Sequence, residues 1–199
     1  MSNANLKSHA LYWAMLAGVA VVQIGLLVKI IFDRQTLLTT GREIVMQVQP
    51  VDPRDWLRGD YVILGYGISP VSMTAEQNGA PLDSITPGRT VYATLHAGAD
   101  GVWTVKRLTP AYPAGIEPQD VAVKGIVQQR WRGRQSGDNQ FTIKYGIESY
   151  FVPEGTGRQL ESSVRDKKIQ AIIAVGAGGE VAIKGLIIDG ERREATSVF

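Results

Sequence analysis

Cysteine is absent from this 199-residue chain, and histidine occurs only as His9 and His96. Without Cys there is no disulfide, no thiolate nucleophile and no Cys-ligated zinc. Two histidines far apart in sequence exclude a multi-His centre, so neither a metal nor a cofactor is expected. An excess of one charge is missing too. Lys and Arg number 21 against 19 Asp and Glu, a net charge of +2, far from the concentrated basic face of a nucleic-acid binder. After Thr40 there is no long stretch of 3.6-residue apolar periodicity. The remainder, 44% hydrophobic and 20% charged, is a globular composition.

One long apolar run is present. Residues 10–32 read ALYWAMLAGVAVVQIGLLVKIIF, interrupted by one amide, Gln23, and one charge, Lys29. A membrane-crossing helix needs about 20 apolar residues. Lys29 lies close enough to the end to snorkel, and Tyr12 and Trp13 stand where an interfacial aromatic belt belongs. The run is longer than a signal-peptide core and ends in KIIFDR rather than small residues. The reading is a permanent single-pass helix in the bilayer. Lys7 precedes the span, while Lys29, Arg34 and Arg42 lie in or after it, and this slight bias alone would leave the C-terminal region cytoplasmic.

Beyond Thr40 the pattern changes to short β-branched runs broken by Gly, Pro and Asn. Strands are predicted at 43–49, 61–68, 90–96, 102–108, 121–130, 140–147, 169–175 and 180–188, with one short helix near 157–166. The fold class is therefore mainly β: an N-terminal transmembrane helix, then a compact all-β region. Two hairpins resemble each other. VYATLHAGADGVWTVKRL at 91–108 aligns without a gap to IQAIIAVGAGGEVAIKGL at 169–186, and Lys106 falls on Lys184. Upstream, Gly59–Asp60 and Tyr66–Gly67–Ile68 are echoed by Gly137–Asp138 and Tyr145–Gly146–Ile147. Landmarks in one order at a nearly constant offset indicate an internal duplication. The expected organisation is a tail at 1–9, the span at 10–32, a linker at 33–42, a first β unit at 43–120 and a related second unit at 121–199.

The least generic stretch is VDPRDWLRGDYVILGYGIS, 51–69. Pro53 and Gly59 make a rigid turn that Asp60 can cap, and Val62, Leu64 and Tyr66 share one face of the following strand. That account leaves Asp52, Arg54, Asp55, Trp56 and Arg58 unexplained. Trp and Arg are favoured anchors where partners bind. The candidate binding residues are therefore Arg54, Trp56, Arg58, Asp60, Tyr61 and Tyr66, with no catalytic set.

GDYVILGY resembles the signature of the bacterial GDYxxLxY family at Gly59, Asp60, Tyr61, Leu64 and Tyr66. DPRDWLR and YGIESYFVPEGTGRQLE are similar to that family as well. The resemblance implies a protein anchored in the bacterial inner membrane with its soluble region outside the cytoplasm, against the charge bias, and it brings no activity. A weaker resemblance is to type I signal peptidases, which place a β domain after an N-terminal anchor and a catalytic Lys in a strand. LRGDYVIL and TVKRL look similar, with Lys106 at the base position. No Ser stands between Arg42 and Ile68, and a Ser–Lys mechanism needs that hydroxyl. The expected function is a non-catalytic accessory or assembly subunit whose β region binds a membrane-protein or envelope partner. The alternative is a degenerate signal-peptidase-like or carbohydrate-processing envelope enzyme. Glu148, Glu154 and Glu161 read as solvated loop carboxylates, WRGR at 131–134 as a solvated turn, and His96 as a structural residue.

Overall fold

In a computed structural model of the chain, residues 3–49, 61–99, 101–132, 139–151 and 169–194 are described. Helix α1 runs Asn3–Thr40. At 1.5 Å per residue its 38 residues measure about 57 Å, well over the hydrocarbon thickness of a bilayer. The most apolar stretch of its segment Tyr12–Thr40 is not buried, and only its last turns meet the β region. The linker expected at 33–42 is not extended chain. The helix continues through it, and Gly41 alone separates it from strand β1, Arg42–Gln49.

That joint is tight. Gly41 N–H donates to Leu37 O at 3.0 Å. A Cβ on Gly41 would stand 2.4 Å from Leu37 O and 3.1 Å from the Ala174 side chain. The Leu37 side chain lies against Gly176, and Arg34 Nη1 donates to Val181 O at 3.3 Å. The last turns of α1 therefore rest on the β region.

The strands after β1 are β2 Tyr61–Ile63, β3 Gly65–Tyr66, β4 Val71–Met73, β5 Thr90–Ala97, β6 Trp103–Thr109, β7 Asp120–Arg132, β8 Asn139–Lys144, β9 Ser149–Phe151, β10 Ile169–Val175, β11 Val181–Ile188 and β12 Glu191–Glu194; helix α2 is Ala75–Asn78. They form one sheet in the order β12-β11-β10-β1-β3, another in the order β4-β8-β7-β5-β6, and a pair, β2-β9. Alternation puts Ile44, Met46 and Val48 of β1, Val91, Ala93 and Leu95 of β5, and Ile169, Ala171 and Ile173 of β10 inside. These residues belong to a single hydrophobic cluster with Val123, Phe141 and Ile143.

Neither sheet belongs to one half of the sequence. Hairpin β10–β11 pairs with β1, and hairpin β5–β6 pairs with β7. The units at 43–120 and 121–199 thus complete each other's sheets. Their geometry repeats in detail. Both hairpins carry an irregularity at corresponding places, between Thr94 and Leu95 and between Ile172 and Ile173. Gly98 and Gly101 close the first turn as Gly176 and Gly179 close the second, with Gly101 at φ 75° and Gly179 at φ 86°. Pairings cross over reciprocally: Val71 opposes Phe141 as Tyr150 opposes Val62. Tyr66 hydroxyl donates to Ile147 O at 2.9 Å, and Tyr145 hydroxyl donates to Ile68 O at 3.1 Å.

Several expectations change. The run 61–68 is two short strands because the chain switches partner at Leu64, from β9 to β1, with Leu64 N–H donating to Glu148 O at 2.8 Å. The strand expected to Ile147 ends at Lys144, where Glu148 accepts from Tyr145 and Gly146 N–H and turns the chain. The helix expected near 157–166 lies outside the described residues. Helix α2, capped by Thr74 and Gln77 in a capping box, is too short to leave a periodic signature. Its Asn78 serves the outer edge of β6: the amide accepts from Leu108 N–H at 2.7 Å and donates to Leu108 O at 3.1 Å. On the corresponding strand β11, that edge is covered by β12. An amide and a strand thus each block an edge that would otherwise invite pairing.

The crossed tyrosines yield a prediction. Tyr66→Phe and Tyr145→Phe should each lower unfolding free energy by about 1–3 kcal/mol, the cost of leaving a buried carbonyl unpaired. Urea unfolding of the full chain in detergent, followed by tryptophan fluorescence, measures it. Unchanged midpoints for both would remove the hydroxyls from the account of stability.

Candidate functional site

Of the candidate binding residues, Arg54, Trp56, Arg58 and Asp60 lie outside the described residues, as does Gly59. Tyr61 opens β2 opposite Phe151. The rest of the signature is core. Leu64 is 1% exposed and Tyr66 is 3% exposed, its hydroxyl spent on Ile147 O. Burial, with the Glu148 charge adding to it, pushes the Tyr66 phenol well above its ordinary range, so it stays a neutral donor. Tyr66 is therefore withdrawn from the contact surface. The pattern "LxY" marks where the strand changes sheets, and the tyrosine bonds the opposite half there.

A polar cluster among the described residues was not assembled from the sequence. Lys106 is the residue skipped by the pairing of β5 and β6, since Thr94 opposes Arg107 and Leu95 opposes Val105. A bulge re-aims the side chain it carries, and Lys106 Nζ lies 3.0 Å from Asp120 Oδ2 and 3.2 Å from Glu117 Oε2. The Asp120 side chain is 2% exposed. It accepts a second hydrogen bond from His96 Nδ1 at 2.6 Å, while the Asp120 carbonyl accepts from Arg42 Nη1 at 2.9 Å. Lys184 is the bulged residue of the other hairpin. It meets Glu43 Oε1 at 2.6 Å, with Arg192 at 3.4 Å. Glu43 opposes Ala174 as Asp120 opposes His96. The two lysines therefore make equivalent ties between a hairpin of one half and the first strand of the other.

The two carboxylates also set the proton affinity of Lys106. Its hydrogen bonds to Asp120 and then Glu117 raise its pKa above the ordinary lysine value, the opposite of the shift a general base requires. Burial would raise the Asp120 carboxyl, but the bonds from His96 and Lys106 outweigh it and the net pKa lies below the usual carboxylate value. Twin lysines in the sequence were the legible signal. The carboxylates were not, because Asp120 and Glu43 sit at strand starts, where a charge reads as solvated.

A family model described as "GDYXXLXY protein" matches residues 23–186. The chain belongs to the GDYXXLXY family. No curated protein and no solved structure matches it. For this family member the match spans the end of α1 and every strand through most of β11, so the signature and both lysine ties lie within it.

Elsewhere, an open depression is lined by Glu76, Leu82, Asp83, Arg130 and Asn139. Its Arg130 is engaged by Asn139, Ile85 O and Asp83 and lies over the Phe141 ring. Glu148 holds a turn, and Glu154 and Glu161 lie outside the described residues. Among the described residues no cluster of three His, Asp or Glu is placed to hold a metal. Among the described residues of the β region, Trp131 is the most exposed aromatic, at 62%, beside exposed Arg132.

Two outcomes follow. Lys106→Met should lower the melting temperature more than Lys184→Met, since it strips a partner from a buried carboxylate whereas Glu43 is 38% exposed; equal shifts in calorimetry would refute the distinction. The depressed Asp120 pKa gives stability that is complete above the ordinary aspartate pKa of about 3.9 and lost as pH falls through the lower folded value. An acid titration of Asp120→Asn should lack that loss, and retention of the parent's acid limb would show that other groups cause it.

Proposed function

We propose that this protein is a single-pass accessory or assembly subunit of the bacterial inner membrane, with its β region outside the cytoplasm and bound to a membrane-protein or envelope partner. The observation that carries the reading is α1. Its apolar stretch, uncovered by any other described residue up to the last turns, calls for an apolar surround such as a bilayer. A core helix would be covered by its own domain, and this one touches the β region only at its last turns.

The partner reading draws on the surface. Trp131 and Arg132 end the thirteen-residue strand β7, whose first residue is tied to Arg42 at the helix junction. Trp56, Arg54 and Arg58 follow β1 in the sequence, after the strand that starts at that same junction. In sequence, the first half thus carries Trp and Arg after its first strand and the second half carries them as the last residues of its own, the residue types that anchor interfaces. The signal-peptidase-like alternative draws no support from Lys106, which is paired with Asp120 and Glu117.

Topology is tested by alkaline phosphatase fused after Phe199. Activity in a bacterial host is expected, and an inactive fusion beside an active cytoplasmic reporter at the same place would reverse the orientation. Trp131→Ala and Trp56→Ala should leave the unfolding midpoint unchanged and weaken recovery of the partner, by about 2 kcal/mol or more for an anchor. Asp60→Ala should instead cost about 1 kcal/mol of stability as a lost cap. Normal partner recovery by both Trp variants would return those residues to the solvated surface.

A further inference from the structure

Gln23 is the one amide side chain in the apolar run, and among the described residues nothing bonds to it. Lys29, by contrast, is paired with Asp33 one turn on. On the membrane reading above, Gln23 stands nine residues before Phe32, about 14 Å deep at 1.5 Å per residue, near the middle of a hydrocarbon layer about 30 Å thick. An amide there has no water to bond, and side chains of this kind are satisfied by another helix.

The helix itself says which way Gln23 faces relative to the β region. Arg34 is eleven residues further on, which at 3.6 residues per turn is three turns and about 20°. Leu37, fourteen residues on, is four turns less about 40°. These two residues meet Val181 O and Gly176. The β region therefore leans over the same side of α1 that carries Gln23. A second copy of this chain cannot take that side in parallel orientation. Its own helix continues to Thr40, about 12 Å past Phe32, and would run into the space the first copy's β region occupies. The space can hold a helix that stops at the bilayer surface.

We propose that Gln23 marks a contact with a transmembrane helix of another protein, one that ends beneath the β region and brings a hydrogen-bonding side chain to the depth of Gln23. This inference rests on the membrane reading and narrows the partner to one with such a helix. Leu16, Ala20, Leu27 and Ile30 share the Gln23 side, while Ala14, Gly18 and Gly25 face away.

The test is a benzophenone amino acid placed at each of these seven positions in turn, in the full chain, in the cells that make it. Adducts to an apolar helical segment of one other protein are expected at Leu16, Ala20, Leu27 and Ile30, and at most traces at Ala14, Gly18 and Gly25. Gln23→Leu should lower the yield at Ala20 and Leu27 at least fivefold with membrane retention intact, and Gln23→Asn should restore part of it. Adducts to a second copy, to lipid alone, or equally on all sides, or yields indifferent to Gln23→Leu, overturn the inference if the protein still resists alkaline extraction from membranes. Release of the unmodified protein by alkali, seen before any irradiation, sinks the membrane reading and this inference with it.

Discussion

Everything in the β region depends on an exchange: β1 needs hairpin β10–β11 beside it, and β7 needs hairpin β5–β6. Strand β1 has only the two-residue β3 on its other side. A chain containing the first half alone would leave β1 and hairpin β5–β6 without their partners, each with a row of open backbone groups. Pairing across the halves is non-local, so loop closure must be met before any of it is rewarded. The side chains that make the exchange specific are few: the Tyr66 and Tyr145 hydroxyls, which reach across reciprocally, and Lys106 and Lys184, which bulges aim at the opposite half's first strand.

Where the repetition breaks, the surroundings explain it. Ala174 occupies the place that His96 has in the other hairpin, and it is fully buried because the end of α1 comes down on it. Among the described residues no helix covers His96, which is 43% exposed at its side chain, so a polar ring fits and gives Asp120 a second partner. At the outer edges the difference has the same character. The second hairpin is continued by β12, whereas the first is followed by Pro110, which cannot donate in a ladder, and Asn78 reaches over from α2 instead. One helix and one short strand account for most of the asymmetry between the halves.

The sequence showed most of the framework and little of the wiring. Period-two alternation and Gly-rich turns place β1, β5, β6, β7, β10 and β11 within about two residues, because each has seven residues or more. The pieces β3, β4, β9 and β12 have two to four residues and are defined by partners rather than pattern, so periodicity is silent about them. The alignment of the two hairpins was visible, yet it suggested units lying side by side in sequence order, since nothing local reports which strand a hairpin joins. Tyr66 shows the same limit. Its parity with Leu64 already placed it inside, while its membership of the motif argued for contact, and the Ile147 carbonyl that decides the matter is 81 residues away. For Arg54, Trp56, Arg58 and Asp60 the sequence remains the whole of the argument.

A one-residue joint between α1 and β1 has a mechanical consequence. With a flexible ten-residue linker the β region could take any orientation relative to the helix; with Gly41 wedged against Leu37 and Ala174, it turns with the helix. Arg42 reinforces this by donating to the carbonyls of Pro118 and Asp120, which fixes the start of β7 to the start of β1. Both first strands thus leave from one point. At about 3.3 Å per residue, the eight residues of β1 reach about 26 Å and the thirteen of β7 about 43 Å from that junction. Trp131 is held near the end of that reach, and Gln23 lies about 26 Å down the helix on the other side of the junction. On the membrane reading proposed above, a partner engaging both would be a membrane protein with its own extramembrane mass, because no lipid headgroup and no small ligand spans that separation.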